Sequence, residues 1–179
     1  MMIKIRSSNP SDVDTIAKME KLCFEAHLQY GSSILFNILN TAKYISLTAN
    51  IIQEGNGKVA GCAIGERDQD KTNLGRIVLI IVDPELQRKN IGAELLSKLE
   101  EKLSTLYGIE SFELQVHYKN EKALFFYQKN GYKISKRIRN YYERNEHAFL
   151  MDKKIVGLNK HIKRRDLTEH KVPQQNSQK

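Results

Sequence analysis

Six apolar residues in a row, Ile77 to Val82, constrain this fold more than any other part of the chain. Side chains along a strand alternate between the two faces of a sheet, so a strand apolar at every position must be covered on both sides. The run is far too short to cross a bilayer. Asp83-Pro84 ends it. Ile91, Leu95, Leu96, Leu99, Leu103 and Leu106 then recur at three-to-four spacing, which predicts a helix with one apolar stripe. The turn between strand and helix has the makings of an anion cradle. The first N–H groups of a helix lack partners and sit at the positive end of its dipole. Gly92 and Ala93 allow close approach, and Arg88 and Lys89 add charge. A strand-to-helix turn without a ligand would read the same way, so this stretch alone leaves both readings open.

The rest of the chain supplies the other layers. Met2 to Arg6 alternates as a short strand. Ser11 or Asp12 caps a helix carrying Val13, Ile16, Met19 and Leu22. After the loop CFEAHLQYG a second helix begins near Ser32 and carries Leu35, Ile38 and Leu39. Residues 45–53 and 58–66 read as strands joined by EGNGK, where Asn-Gly signals a hairpin turn. Ser111 to His117 is a strand. Asn120 caps a helix reaching Lys129 or Asn130, and Gly131 suits a left-handed stop. Strands near 132–138 and 147–153 complete an α+β chain. The expected fold is a mixed, mainly antiparallel sheet of about seven strands with helices on both faces.

With 40% hydrophobic and 28% charged residues, the chain has the composition of a globular protein with a real core. Residues 1–155 are expected to form one domain. The two cysteines, Cys23 and Cys62, read as free thiols of a cytoplasmic protein. MMIKIRSSNP lacks the pattern of a secretory signal. No Cys/His group has zinc-site spacing, so no metal is expected. Much of the net charge of +8 lies between Lys153 and Lys179, where eight Lys/Arg face two acids. The basic segment 156–179 is expected to be a flexible tail. It either solubilises the chain and orders against a neighbour, or contacts ribosome or RNA phosphates.

Three motifs in order carry a resemblance to a known family. Gln87-Arg88-Lys89-Asn90-Ile91-Gly92-Ala93 resembles the Q/R-x-x-G-x-G/A acetyl-CoA signature of the GNAT acyltransferase superfamily, with Asn90 in place of the first glycine. LQVHYKNEKALFFYQKNGYK, residues 114–133, resembles that family's next strand and helix through Val116, Asn120, Ala123, Tyr127, Gly131 and Tyr132. RNYYERNEHAFLM, residues 139–151, is similar to the N-terminal protein acetyltransferase branch, ribosomal-protein alanine acetyltransferases included, through Asn140, Tyr141, Tyr142, Glu146, Ala148 and Met151.

The resemblance implies a GNAT fold over the domain and acetyl-CoA as cosubstrate. It implies that Ile80, Ile81 and Val82 line the pantetheine arm and that Gln87 to Ala93 hold the pyrophosphate. Asn120 would contact cofactor amides, or only cap its helix. Tyr127 would protonate the departing thiolate; otherwise it is a core aromatic. Phe125 and Phe126 read as packing. Gln115 stands where relatives carry Glu or His, and cannot accept a proton. Strand alternation puts His117 on the same face, where it could act as base through water or be a solvated strand-end histidine. Glu25 is the other candidate base, with His27 in the same loop. Phe24, Glu25, Tyr30, Tyr141 and Tyr142 would grip the substrate; otherwise the last two tyrosines pack a hairpin on the core.

Without a strong base, α-amines are favoured over lysines. At pH 7 roughly a tenth of α-amines are neutral, against fewer than about one lysine in a thousand. The expected activity is therefore acetyl transfer to protein or peptide N-termini. The rivals are lysine or small-amine acetylation, and a catalytically weak CoA-binding regulatory protein. Nothing in the sequence points to a membrane partner.

Overall fold

The computed structural model describes residues 2–53, 56–142 and 145–155. The basic segment 156–179 lies outside the described residues. Strands are β1 (Met2–Ser7), β2 (Tyr44–Gln53), β3 (Asn56–Arg67), β4 (Leu74–Val82), β5 (Ser111–His117), β6 (Lys133–Ile138) and β7 (Ala148–Lys154). Helices are α1 (Val13–Cys23), α2 (Gly31–Asn40), α3 (Ile91–Tyr107) and α4 (Glu121–Lys129). The strands form one seven-stranded sheet in the order β1-β2-β3-β4-β5-β7-β6. Every neighbouring pair is antiparallel except β4 and β5.

Both faces of β4 are covered, as its unbroken apolar run demands. Ile77 packs with Leu95, Leu96, Leu99 and Leu103 of α3. Leu79 and Ile81 face the other way, onto Val13, Ile16 and Met19 of α1 and Leu35 and Ile38 of α2. Each such fully buried aliphatic side chain contributes about 1.5–3 kcal/mol from the hydrophobic effect. The α3 stripe ends one turn early, for Leu106 is exposed, and so is Leu22 on α1.

Buried charges are paired. Glu100 of α3 accepts from the Tyr132 hydroxyl at 2.7 Å and from Lys153 Nζ at 2.6 Å. Asp12 accepts from both terminal nitrogens of Arg6 at 2.7 Å, from the Asn9 N–H at 2.9 Å and from Thr48 at 3.1 Å. That commitment corrects the expected cap of α1. Asn9, not Ser11 or Asp12, caps the short 3-10 turn Pro10–Asp12 that leads into the helix, and Asp12 makes no side-chain cap to α1. Glu20, also buried, accepts the N–H groups of Tyr30 and Gly31 and so caps α2 from a neighbouring helix.

The hairpin also differs from expectation. Asn56 and Gly57 are not its turn. They pair with Gln53 and Ile52 inside the ladder, and the connecting residues 54 and 55 lie outside the described residues. Cross-strand register decides which residues turn, and two more positions on β3 find partners than the Asn-Gly signal allows. Cys23 and Cys62 are free thiols, Cys62 fully buried and Cys23 partly so. Among the described residues, no helix is long and apolar enough to cross a membrane.

Candidate active site

The parallel pair β4–β5 opens the site. Pairing runs over only Leu74↔Ser111, Gly75↔Phe112 and Arg76↔Glu113. Beyond it β4 stays with β3 as far as Val82↔Gly61, and β5 stays with β7 as far as His117↔Ala148. The two strands are therefore drawn apart, and the facing edges of residues 77–82 and 114–117 diverge. Strand-edge peptide groups require partners. An extended ligand carrying amides satisfies them as an added strand would.

At the mouth of this cleft the chain turns into α3. Asp83 accepts from the Glu85 N–H at 3.0 Å and pairs with Lys58 at 3.0 Å, and Gln87 Nε2 donates to the Val82 carbonyl at 3.2 Å. Arg88 and Asn90 take left-handed backbone angles, with φ of 60° and 64°. Asparagine adopts this region more readily than most residues, so the turn survives without the family's glycine. The first helical bond runs from the Glu94 N–H to the Asn90 carbonyl at 3.1 Å. The N–H groups of Ile91, Gly92 and Ala93 thus lack acceptors inside the helix. A Cβ on Gly92 would lie 3.3 Å from the Phe126 ring and 3.6 Å from Val82. The cradle is shaped for a backbone without side chain at that point. These features fit a phosphate-bearing, amide-bearing cosubstrate.

Side chains refine the expected lining. Ile81 and Ile91 are buried in the core, so only their backbone faces the cleft, whereas Ile80 and Val82 are partly buried beside α3. Gln87, Arg88, Lys89 and Asn90 are exposed at the turn. Asn120 Oδ1 accepts from the Ala123 N–H at 3.0 Å, which is the capping role. Phe126 packs over Gly92, but Phe125 is exposed and does not pack as expected.

Tyr127 is buried between Phe126 and Tyr132, its ring edge-on to both with centroids 5.0 and 5.6 Å apart. Burial pushes its phenol well above the ordinary tyrosine range, and the Tyr142 hydroxyl adds to the shift. Tyr142 is itself raised to about 12 by burial, with Tyr141 and Tyr30 contributing. The rings of Tyr141 and Tyr142 meet edge-on with centroids 4.8 Å apart. Burial also raises Tyr30, with Tyr141 adding to the shift.

Gln115 and His117 share one face of β5, opposite Phe112, Leu114 and Val116 of the core. The His117 ring lies 5.3 Å from that of Tyr142. His117 Nδ1 accepts from the Lys119 N–H at 3.4 Å, and Nε2 is 3.5 Å from Glu146 Oε2. The same Glu146 oxygen is 2.8 Å from His27 Nε2, and His27 Nδ1 is 3.8 Å from Glu25. Phe24 is partly buried against the α1–α2 core, its carbonyl accepting from Gln29 at 2.8 Å. Glu146 was visible in the sequence only as a matched motif position, and His27 only as a loop histidine. Nothing in their spacing of 119 residues forecasts their contact. Among the described residues no His/Cys/Asp/Glu group is arranged to hold a metal ion.

The comparisons agree with this architecture. The acetyltransferase (GNAT) family model matches residues 13–132. An N-alpha-acetyltransferase of Sulfurisphaera tokodaii is 29% identical over 83% of this chain and 90% of its own length. The ribosomal protein bS18-alanine N-acetyltransferase of Escherichia coli is 34% identical over 49% of this chain and 56% of its own. The crystal structure of Arabidopsis thaliana NAA60 in complex with acetyl-CoA superposes with a TM-score of 0.74 at 18% identity, covering 87% of this chain and all of that one. With the splayed parallel pair, the glycine-lined helix start and a family match over two-thirds of its length, the chain belongs to the acetyltransferase (GNAT) family and is an acetyl-CoA-dependent N-acetyltransferase.

Proposed function

We propose that the chain acetylates the N-terminal α-amine of proteins or peptides. The observation that carries this reading is the edge-on pair Tyr141–Tyr142, ring centroids 4.8 Å apart, with Tyr142 set 5.3 Å from His117 of β5. Tyr30 before α2 and the buried Tyr127 feel the charge of this pair. Relatives named for α-amine acetylation support it.

Acetyl-CoA supplies a thioester whose carbonyl carbon is open to attack by an amine. Backbone N–H groups from Arg88 to Ala93 hold the pyrophosphate, and Ile80 to Val82 border the pantetheine arm. A backbone N–H near Val82 stabilises negative charge on the carbonyl oxygen. Asn120, beyond its cap, has an amide nitrogen to offer the cosubstrate. Phe24, Glu25, Tyr30, Tyr141 and Tyr142 orient the peptide's first residues. Tyr127, held protonated by burial, delivers a proton to the sulfur. Gln115 cannot take the amine's proton, and His117, on the same face, acts in its place through water. This division suits an α-amine, which needs less help to lose its proton than lysine.

The test is direct. Peptides bearing a free N-terminus and an internal lysine are incubated with the protein and acetyl-CoA, and the acetyl group is located by fragmentation mass spectrometry. Acetyl on the α-amine is expected. Acetyl on lysine alone sinks the α-amine reading, and CoA binding without transfer favours a regulatory role.

A further inference from the structure

His117 and Glu25 of the mechanism above stand in contact with two side chains that it does not use, Glu146 and His27. His117, Glu146, His27 and Glu25 stand in file: Glu146 Oε2 is hydrogen-bonded to His27 Nε2 at 2.8 Å, His117 Nε2 lies 3.5 Å from the same oxygen without a hydrogen bond, and Glu25 lies 3.8 Å from His27 Nδ1. Their side chains are 14%, 24%, 27% and 80% exposed in that order, a gradient from the end of β5 to open solvent. Three separate segments contribute, and one oxygen, Glu146 Oε2, faces the Nε2 atoms of both histidines.

We infer that these four side chains form a proton-exit row that carries the substrate amine's proton from the cleft to solvent. The inference rests on the acetyl-transfer reading and deepens it. An ammonium loses two protons in becoming an amide. One ends on the sulfur of coenzyme A, by way of Tyr127, and the other must reach solvent. Glu146 and Glu25 give the row its negative charge. An incoming proton, shared between Glu146 and its histidine neighbours, lowers that charge by one. A second proton would place two imidazoliums on one carboxylate, so the row discharges before it reloads. Passage from Glu146 Oε2 to His27 Nε2 crosses a single 2.8 Å step. Nδ1 of His27 then releases the proton toward Glu25 and water.

The surrounding charges suit transit rather than storage. His27 holds the Glu146 carboxyl below the usual carboxylate range; burial opposes this, and His117 and Lys119 add to it. Glu146 therefore stays ionised. His147, beside His117 and facing Arg137 and Arg139, is pushed toward the neutral form, by burial first and then by those cations. The rings of Tyr118 and Tyr142 close off the sides of His117. Glu146 and His27 thus act as positioning and relay residues, not as groups that touch the reacting atoms.

The experiment compares pH profiles of kcat/KM for a peptide acceptor in the native enzyme, Glu146→Gln and His27→Ala, with CoA affinity measured by calorimetry. At pH 6.5 each variant is expected to lose at least about tenfold, with recovery near pH 9, where α-amines are already neutral. Added imidazole, a diffusible proton carrier, is expected to restore part of the loss in His27→Ala. A loss of equal size at every pH, or no response to imidazole, overturns the row and leaves the contacts a structural tie between loops. The α-amine reading fails separately, in the native enzyme, if acetyl appears only on lysine. The profiles are then run on that lysine substrate, where recovery is expected only above about pH 10, as the lysine amine becomes neutral.

Discussion

Arg76 Nε donates to Glu113 Oε1 at 3.0 Å, at the last position where β4 and β5 are paired. The ion pair sits at the vertex of the cleft, and Arg76 also pairs with Asp68 at 2.5 Å. It holds two strands together where each is about to follow a different neighbour. Arg76→Leu is expected to cost only about 1 kcal/mol of stability, because the arginine is half-exposed. The angle between the edges should loosen, lowering kcat/KM about tenfold. Urea denaturation and initial rates measure the two effects; a rate that tracks stability alone would deny the vertex a role.

Asn90 holds a left-handed angle that glycine adopts without cost. Asn90→Gly should therefore raise stability by about 0.5 kcal/mol, since asparagine already tolerates the region. CoA affinity should hold or improve as a side chain leaves the cradle. Thermal melts with and without CoA test both.

Gly92→Ala separates folding from binding. Alanine favours a helix by about 0.5–1 kcal/mol over glycine, but its Cβ would press on the Phe126 ring. The two effects offset, so stability should change by less than about 1 kcal/mol. The CoA dissociation constant should rise about tenfold, some 1.4 kcal/mol of binding. Unchanged affinity would mean that the helix start does not face the cosubstrate.

Tyr127→Phe should lower kcat by about two orders of magnitude while CoA affinity is kept. Because burial raises its pKa, Tyr127 stays protonated across the working range and should add no alkaline limb of its own. Steady-state rates from pH 6 to 9 check this, and unchanged turnover would remove Tyr127 from the mechanism.

Asp12 gives the fold an acid sensitivity. Burial would raise its pKa, but the bonds from Arg6, Asn9 and Thr48 outweigh this and hold the carboxyl below its usual range. The folded state then binds this proton less readily than the unfolded chain. The stabilisation is complete above the unfolded carboxylate pKa of about 4 and is lost as pH falls below it. Asp12→Asn should cost about 2 kcal/mol at pH 7 and flatten the acid limb of the stability curve. Urea titrations at pH 7 and pH 3 measure the difference.

Much of this architecture is written in local pattern. The apolar run of β4, the stripe of α3, the Asn120 cap and the left-handed stop at Gly131 are each set by neighbours within a few residues, through side-chain period or backbone sterics. The strand, turn and helix proposed to cradle acetyl-CoA were legible for the same reason, being contiguous in the chain. What local pattern could not supply was competition between distant partners. Asp12 looked like a helix cap until Arg6 and Thr48 claimed it, and Asn56-Gly57 looked like a turn until Ile52 and Gln53 paired with it. Likewise, the point where β4 and β5 part depends on β3 and β7 pulling each strand away. The meeting of His27 with Glu146, 119 residues on, exists only once the sheet brings two loops to one end. The sequence by itself determined most of the elements and the motif of the proposed donor site, because short-range sterics and hydrophobic period act along the chain. Only the tertiary structure decided which side chains of distant loops meet, because hydrogen bonds and charges act through space.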